Sequence, residues 1–435
     1  MNTSTRPIRP TPGAPGRRTS TVRAVAAATI GNALEWFDLA IYALMAIYIG
    51  QVFFPQGAPG VQTLSAFAVF GATYLIRPLG GLVLGAYADR HGRTKALVLT
   101  IWLMVLGTFL MATMPGYETL GVAATVGMVV ARLIQGFAAG GEFGAATSFL
   151  VEQQQGRKAF FGSFQFASQG LATLLSAGFA AGLTSVLTQE QMLAWGWRVP
   201  FFFGLLIGPV GWYIRRNVAD SPEMQRHEAR ADAPQGSPII DVFRRHWGGL
   251  LIAGGALVVS TALNFILQYL PTFAISRLHI DPSLSFTALL VTGVILTLGT
   301  PLVGLLADRV GRLRVMLPAA VAIGVLTIPL FMWVTNSPSF VTLTLVMTIL
   351  GLMKALYFGA LPSVMSDAFP VEARATGLSF SYNATVSVFG GFTPTIATAL
   401  VTLTGSDIAP AYYLLVLSLI SICALLAGFR LRGIR

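Results

Sequence analysis

Gly85-Ala-Tyr-Ala-Asp-Arg-His-Gly-Arg93 returns further along the chain as Gly304-Leu-Leu-Ala-Asp-Arg-Val-Gly-Arg312. Each copy closes one long apolar run and opens the next. A pattern G-x-x-x-D-R-x-G-R at corresponding places marks an internal repeat, so the chain is two copies of one unit. A fainter echo agrees: Gly144, Ser148 and Glu152 recur at the same spacing as Gly359, Ser363 and Asp367. In each loop copy the aspartate, Asp89 or Asp308, is placed to meet the positive end of a helix. Arg90, Arg93, Arg309 and Arg312 are placed to latch neighbouring helices, and the glycines allow a tight turn. Gating, not solute contact, is the role expected of these six charged residues.

Working outward, the runs between these loops decide the solvent. Hydrophobic residues make up 54% of the 435 and charged residues only 10%, against about 25% charged in a soluble domain. Breaking the runs at Pro, Gly and charge clusters gives twelve candidate spans. They are 24–50, 63–87, 96–114, 120–151, 159–184, 197–214, 247–272, 285–307, 315–335, 340–367, 373–402 and 410–430. Most reach the roughly 20 residues that cross hydrocarbon as a helix, and they lack the ten-residue alternation of a barrel. The fold class expected is an all-α integral membrane protein of twelve transmembrane helices in two six-helix, pseudo-symmetric halves. The halves are 24–214 and 247–430, joined by a polar central loop, 215–246, with tails 1–23 and 431–435. Two parallel six-span repeats suit a carrier whose site lies near the midplane between them.

The net charge of +11 would suggest nucleic acid in a soluble protein, but its placement excludes that. Of 28 Lys and Arg, 23 fall in the two tails, the central loop and the loops on the same side of the membrane. The opposite loops hold only Arg198 and Arg277. By the positive-inside rule both termini are cytoplasmic. The first apolar run is long enough to remain as a helix, so no cleaved signal peptide is expected. A single cysteine, Cys423, excludes an internal disulfide. The four histidines show no metal spacing, and no P-loop is present; neither a metal nor another cofactor is expected, and ATP is not the energy source.

Within the spans the chain resembles the metabolite:proton symporter family of the major facilitator superfamily, from Arg23 onward. The duplicated loop motif resembles that superfamily's loop signature. Gly31-Asn-Ala-Leu-Glu-Trp-Phe-Asp38 with Phe53-Phe54-Pro55, Arg77-Pro-Leu-Gly80, Arg132-Leu-Ile-Gln135-Gly136 continuing to Gly140-Gly141-Glu142, and Phe389-Gly-Gly391 with Pro394 match the family. The resemblance implies proton-coupled uptake of dicarboxylates or tricarboxylates, oxoglutarate, shikimate-like acids, or zwitterions such as proline and betaine. It also implies that the Arg-x-x-Gln-Gly element of the fourth span is linked to proton coupling.

Ionisable groups inside spans are expensive and read as functional. Glu35 and Asp38 are i, i+3 neighbours near the middle of the first span, and Tyr42 continues their face. Two close carboxylates in low dielectric suit a proton carrier, and Glu142 is the third candidate. Arg77, Arg132 and Lys354 are embedded cations that can hold a solute carboxylate; salt bridges within the protein are the structural alternative. Polar stripes supply further candidates: Asn264 and Gln268 with Ser260 on the seventh span, Gln165 on the fifth and Asn383 on the eleventh. Such residues equally serve helix-to-helix bonding, and the small run Ala138 to Gly141 suits close packing.

Three embedded cations against three embedded acids leave no net charge, so a multivalent anion needs accompanying protons. The fifth span lacks the Gly-Pro element of antiporters in this superfamily. The function expected is a proton-coupled symporter importing a small di- or tricarboxylate such as citrate or oxoglutarate, acting as a monomer in the inner membrane of a bacterium. Uptake of proline or betaine, or of a cyclic acid such as shikimate, is the alternative. No nucleophile–base pair suggests an enzyme.

Overall fold

The computed structural model describes residues 21–55, 60–91, 93–154, 156–205, 208–209 and 238–433. Among the described residues, eight helices are long and apolar enough to cross a membrane. They correspond to span 2 (Val61–Gly85), span 5 (Lys158–Val186) and spans 7 to 12 (Trp247–Arg277, Pro282–Val310, Arg312–Asn336, Phe340–Asp367, Arg374–Thr404 and Ala409–Leu431). Span 1 is broken, with Thr29–Leu44 and Ala46–Phe53 meeting at 65°. Span 3 (Arg93–Thr113) has a shorter apolar core, and span 4 is Val122–Ala138, a 3-10 turn Ala139–Gly141, then Glu142–Val151. Span 6 is helical over its described residues 199–205 and 208–209.

Local chemistry sets several ends. Span 8 begins with Asp281 accepting the Ser283 amide at 2.8 Å and Pro282 in the first turn, both favoured at a helix start. It stops at Gly311, whose φ of 106° only glycine adopts readily. The outer surface carries Leu79, Trp102, Leu298, Leu302 and Val325 exposed, the lipid-facing surface that the low charge content implied.

One segment departs from expectation. The end of the central loop, Pro238–Arg245, is a helix. Its Val242 is buried and its Phe243 meets Phe380 of span 11 edge-on at 4.6 Å. Val242 and Phe243 make these contacts, and the Arg, Glu and Gln content upstream in the sequence conceals the helix. Residues 215–237, most of the expected loop, lie outside the described residues.

Two seams position the site. Spans 2 and 4 touch backbone to backbone: a Cβ at Gly136 would fall on the Thr73 carbonyl, and one at Gly140 on the Arg77 carbonyl. Spans 5 and 8 cross between the halves in the same way, with Gly170 against Thr297 and Gly293 against Leu174. Close approach through small residues is how helices associate without a hydrophobic driving force. The first pair carries Arg77 and Arg132, both buried inside the protein.

Candidate functional site

The embedded cations are all buried in the interior, Arg77 and Arg132 in the N-terminal half and Lys354 in the C-terminal half. Arg132 is fully buried, and its guanidinium lies 4.1 Å from the Tyr42 ring centre and 5.6 Å from that of Phe70. One nitrogen donates to Gln135 Oε1 at 2.8 Å, while Nε and the other terminal nitrogen have no hydrogen-bond partner. Arg77, 2% exposed, lies over Tyr74 at 4.4 Å and Trp36 at 5.4 Å, and two of its nitrogens are likewise unpartnered. Lys354 is 1% exposed; its Nζ donates to Asn264 Oδ1 at 2.6 Å and lies 4.9 Å from the Phe358 ring. Among the described residues none of these three cations is ion-paired with a carboxylate.

The acids stand differently. Asp38 accepts Thr108 Oγ1 at 2.6 Å through Oδ2, whereas Oδ1 has no partner. Gln135 Nε2 donates to the same Thr108 hydroxyl at 2.9 Å. A continuous chain thus runs from Arg132 through Gln135 and Thr108 to Asp38, across spans 4, 3 and 1. Glu35 lines the same small cavity as Asp38. The side chain of Glu142 lies outside the described residues.

The polar stripes divide. Gln268 keeps a buried, unpartnered Oε1. Gln165 donates to Asn32 Oδ1 at 3.3 Å, and its carbonyl accepts Asn32 Nδ2 at 3.2 Å, tying span 5 to span 1. Asn383 donates to the Gly140 carbonyl at 2.8 Å and to the Ser379 carbonyl at 3.0 Å, tying span 11 to the turn in span 4. Tyr42 donates to the Ala66 carbonyl at 3.3 Å. The last three therefore already hold partners on the protein.

Stacked rings close the side that carries the basic loops. Phe143 of span 4 stacks on Tyr382 of span 11 at 3.4 Å, and Phe166 of span 5 on Phe358 of span 10 at 4.0 Å. Below them Asp308 accepts the amides of Ala159 (3.0 Å) and Phe160 (2.9 Å), capping the start of span 5. Arg312 pairs with Asp367, which also accepts Lys158 at 3.1 Å, and Arg374 pairs with Glu152 at 2.6 Å. Arg309 is exposed at the end of span 8. The side chains of Asp89, Arg90 and Arg93 lie outside the described residues. On the other side Phe67 meets Tyr269 at 5.9 Å and Phe70 meets Phe265 at 5.6 Å, again between halves.

Thr108 was not singled out from sequence. A threonine within an apolar helix usually bonds its own backbone, as Thr113 does to Phe109; Thr108 also lies 3.0 Å from the Met104 carbonyl, with Asp38 the nearer acceptor, and nothing in span 3 alone distinguishes the one that reaches an acid. Gln135 was visible only as part of a motif.

Helices packed as two bundles around a buried layer of charge define a multi-pass membrane transporter. Family models described as "Sugar (and other) transporter" and "Major Facilitator Superfamily" match residues 24–236 and 278–434. The citrate-proton symporter of Klebsiella pneumoniae is 36% identical over 427 residues, 98% of this chain and 94% of that protein. The proline/betaine transporter of Escherichia coli strain K12 is 33% identical over 412 residues, 92% and 82% of the two chains. The crystal structure of a D-xylose-proton symporter shares the fold with a TM-score of 0.73 at 17% identity, covering 95% of this chain and 98% of that one. The chain belongs to the major facilitator superfamily, within its metabolite:proton symporters. It is a transporter, not an enzyme.

Proposed function

We propose that the protein imports a small di- or tricarboxylate such as citrate or oxoglutarate together with protons, by alternating access, as a monomer in the bacterial inner membrane. The observation that carries this is the set Arg77, Arg132 and Lys354. A buried charge without a counter-charge costs several kcal/mol in a low-dielectric interior, and guanidinium donors left unpartnered are made for a carboxylate fork. An anion bound at this level offsets that cost. Asn264 and Gln268 complete the solute set on span 7. Gln165, Asn383 and Tyr42 then serve as its frame.

Asp38, with Glu35 beside it, is the proton carrier in this reading. Its link to Arg132 through Gln135 and Thr108 makes the charge of the acid felt at the solute cation. Protonating Asp38 leaves Arg132 more positive in its surroundings and favours the anion, which is the reciprocal coupling that symport needs. The face bearing the basic loops, with both chain ends, is the cytoplasmic one, and the Asp308 cap on span 5 with the ion pairs of Lys158 and Arg312 to Asp367 and of Arg374 to Glu152 holds it shut. Division at the central loop, with halves 24–214 and 247–430, gives the two bodies that rock.

Import of proline or betaine is the second reading, favoured by relatives such as the proline/betaine transporter. It is the weaker one, because a quaternary ammonium needs free aromatic faces. Those of Trp36, Tyr74 and Tyr42 are covered by the two arginines. Thermal shift of the purified protein against citrate, succinate, oxoglutarate, shikimate, proline and betaine tests it, followed by proteoliposome uptake under an inward proton gradient. Stabilisation and accumulation of a di- or tricarboxylate are expected. Accumulation of proline or betaine alone overturns the carboxylate assignment.

A further inference from the structure

Inside the N-terminal half, away from the seam between halves, lies a cavity of about 50 Å³. Its wall is built from spans 1, 3, 4 and 6, and includes Gly31, Glu35 and Asp38, Thr100, Ala139 and Gly208. Among the described residues, none of the C-terminal half contributes to it. A water needs about 10–15 Å³ of such space, so there is room for several. A void lined only by hydrocarbon stays dry, but this wall holds two carboxylates and the hydroxyls of Thr100 and Thr108.

Direction and a vacant acceptor give the cavity a use. Asp38 and Thr108 stand at its deep end, near mid-membrane. Gly31 and Thr100 are seven and eight residues nearer the basic-loop end of spans 1 and 3, about 10–12 Å at 1.5 Å per residue. Asp38 Oδ1, on a side chain 4% exposed, is the oxygen without a partner. It points at Gly204, where a Cβ would fall on it, and Gly204 is itself in the cavity wall. Among the described residues the charged or titratable groups facing Asp38 are Glu35 on its own span, in the same wall, and Arg132 on span 4 through Gln135. Span 3 brings Thr108 and span 6 brings Gly204, neither of which titrates.

We propose that this cavity is a hydrated proton exit, leading from Asp38 to the basic-loop face within the N-terminal half and separate from the solute's route between the halves. In the step itself the O–H bond of the protonated Asp38 carboxyl breaks. A cavity water takes the proton, the carboxylate keeps the electron pair, and the hydronium charge passes along the water file past Glu35. Solute and proton then leave by different doors, so the solute path can close without trapping the proton.

The inference rests on Asp38 being the proton carrier, and the test separates the two. A Cβ at Gly31 would meet nothing within 4 Å, so Gly31→Cys fits the helix and projects into the cavity. In a Cys423→Ser background, which removes the native thiol, proteoliposomes are assayed before and after methyl methanethiosulfonate. Citrate is the probe, or proline if only proline is accumulated. Modification is expected to lower gradient-driven accumulation at least tenfold while citrate exchange without a gradient falls less than twofold. Met104→Cys, on the facing wall, repeats the measurement if Gly31→Cys does not reach the membrane. An inert thiol means no water enters, and accumulation unchanged after modification means the proton goes elsewhere; either overturns the exit. An equal loss of exchange and accumulation also overturns it, because the block would then act on the whole cycle. Asp38→Asn that still accumulates citrate instead removes the underlying proton assignment.

Discussion

Asp38 and Arg132 are joined without touching. The carboxylate accepts from Thr108, Thr108 accepts from Gln135, and Gln135 accepts from the guanidinium. A direct ion pair would fix both charges whatever the solute. Two intervening neutral groups leave the arginine with unpartnered nitrogens and the aspartate with an unpartnered oxygen. Each end can therefore take a second partner, an anion at one and a proton at the other, while still sensing its counterpart.

Coupling should fail in a graded way along that chain. Asp38→Asn should abolish accumulation and leave exchange. Thr108→Val should reduce accumulation about tenfold, because it leaves Oδ2 unsatisfied at a cost of about 1–3 kcal/mol. With the wild type, uptake should rise as external pH falls, since protons then run inward down a steeper gradient, and a protonophore should end it. The check is labelled-substrate uptake in proteoliposomes over an imposed pH gradient. Equal accumulation by Asp38→Asn and wild type would shift the role to Glu35 or Glu142.

The repeat loop gives a second expectation. Asp308 caps the start of span 5 with two amide bonds, and that span is packed on span 8 from the other half. Asp308→Ala removes a cap, worth about 0.5–2 kcal/mol, from the closed arrangement only. The closed form should then be less populated by roughly twofold to thirtyfold. A cysteine at Gln169, buried one turn deeper in span 5 than the Phe166 ring, should react faster with a thiol reagent applied to the basic-loop face. An unchanged rate would mean the cap is not part of the gate.

Much of this architecture was legible because lipid imposes a coarse code. Twelve apolar runs, a duplicated loop and charge on one side need no tertiary knowledge. The breaks were less legible. The bend between Leu44 and Ala46 in span 1 occurs at Met45, with no proline or glycine at that position to announce it. Site residues were visible where their cost was visible, as with Arg77, Arg132 and Lys354. Roles of neutral groups were not, because Gln165 and Asn383 look the same in sequence whether they bond a helix or a solute. Only their packing distinguishes them, and Thr108 was missed for the same reason.

The close seam between spans 2 and 4 should tolerate no side chain. Gly136 sits where a Cβ would overlap the Thr73 carbonyl, a backbone atom that cannot swing aside. Gly136→Val should therefore abolish folding, seen as loss of the monodisperse peak of a fluorescent fusion in size-exclusion chromatography. Gly31→Ala, whose Cβ meets nothing within 4 Å, should keep it. A monodisperse Gly136→Val would mean the helices can separate at that point without penalty.

The last expectation concerns the clamp. Lys354 stands on span 10 and Arg77 on span 2, so an anion held by both bridges the halves. Lys354 has only a neutral described partner, Asn264, and its ring neighbour Phe358 stacks on Phe166 of the other half. A solute carboxylate at Lys354 would thus be felt by the contact that closes the basic-loop side. A charge-assisted bond to a desolvated carboxylate is worth about 1.5–3 kcal/mol, or roughly tenfold to a hundredfold in affinity. Lys354→Ala should raise the half-saturation concentration for a di- or tricarboxylate by that factor, and Asn264→Ala by less, since it only steers the ammonium. A carboxylate of the protein is the rival partner, and Glu142 is the one to test. If Glu142→Gln restored the binding lost in Lys354→Ala, the lysine would be serving that acid. If the double variant stayed as weak as the single one, the lysine would be serving the solute.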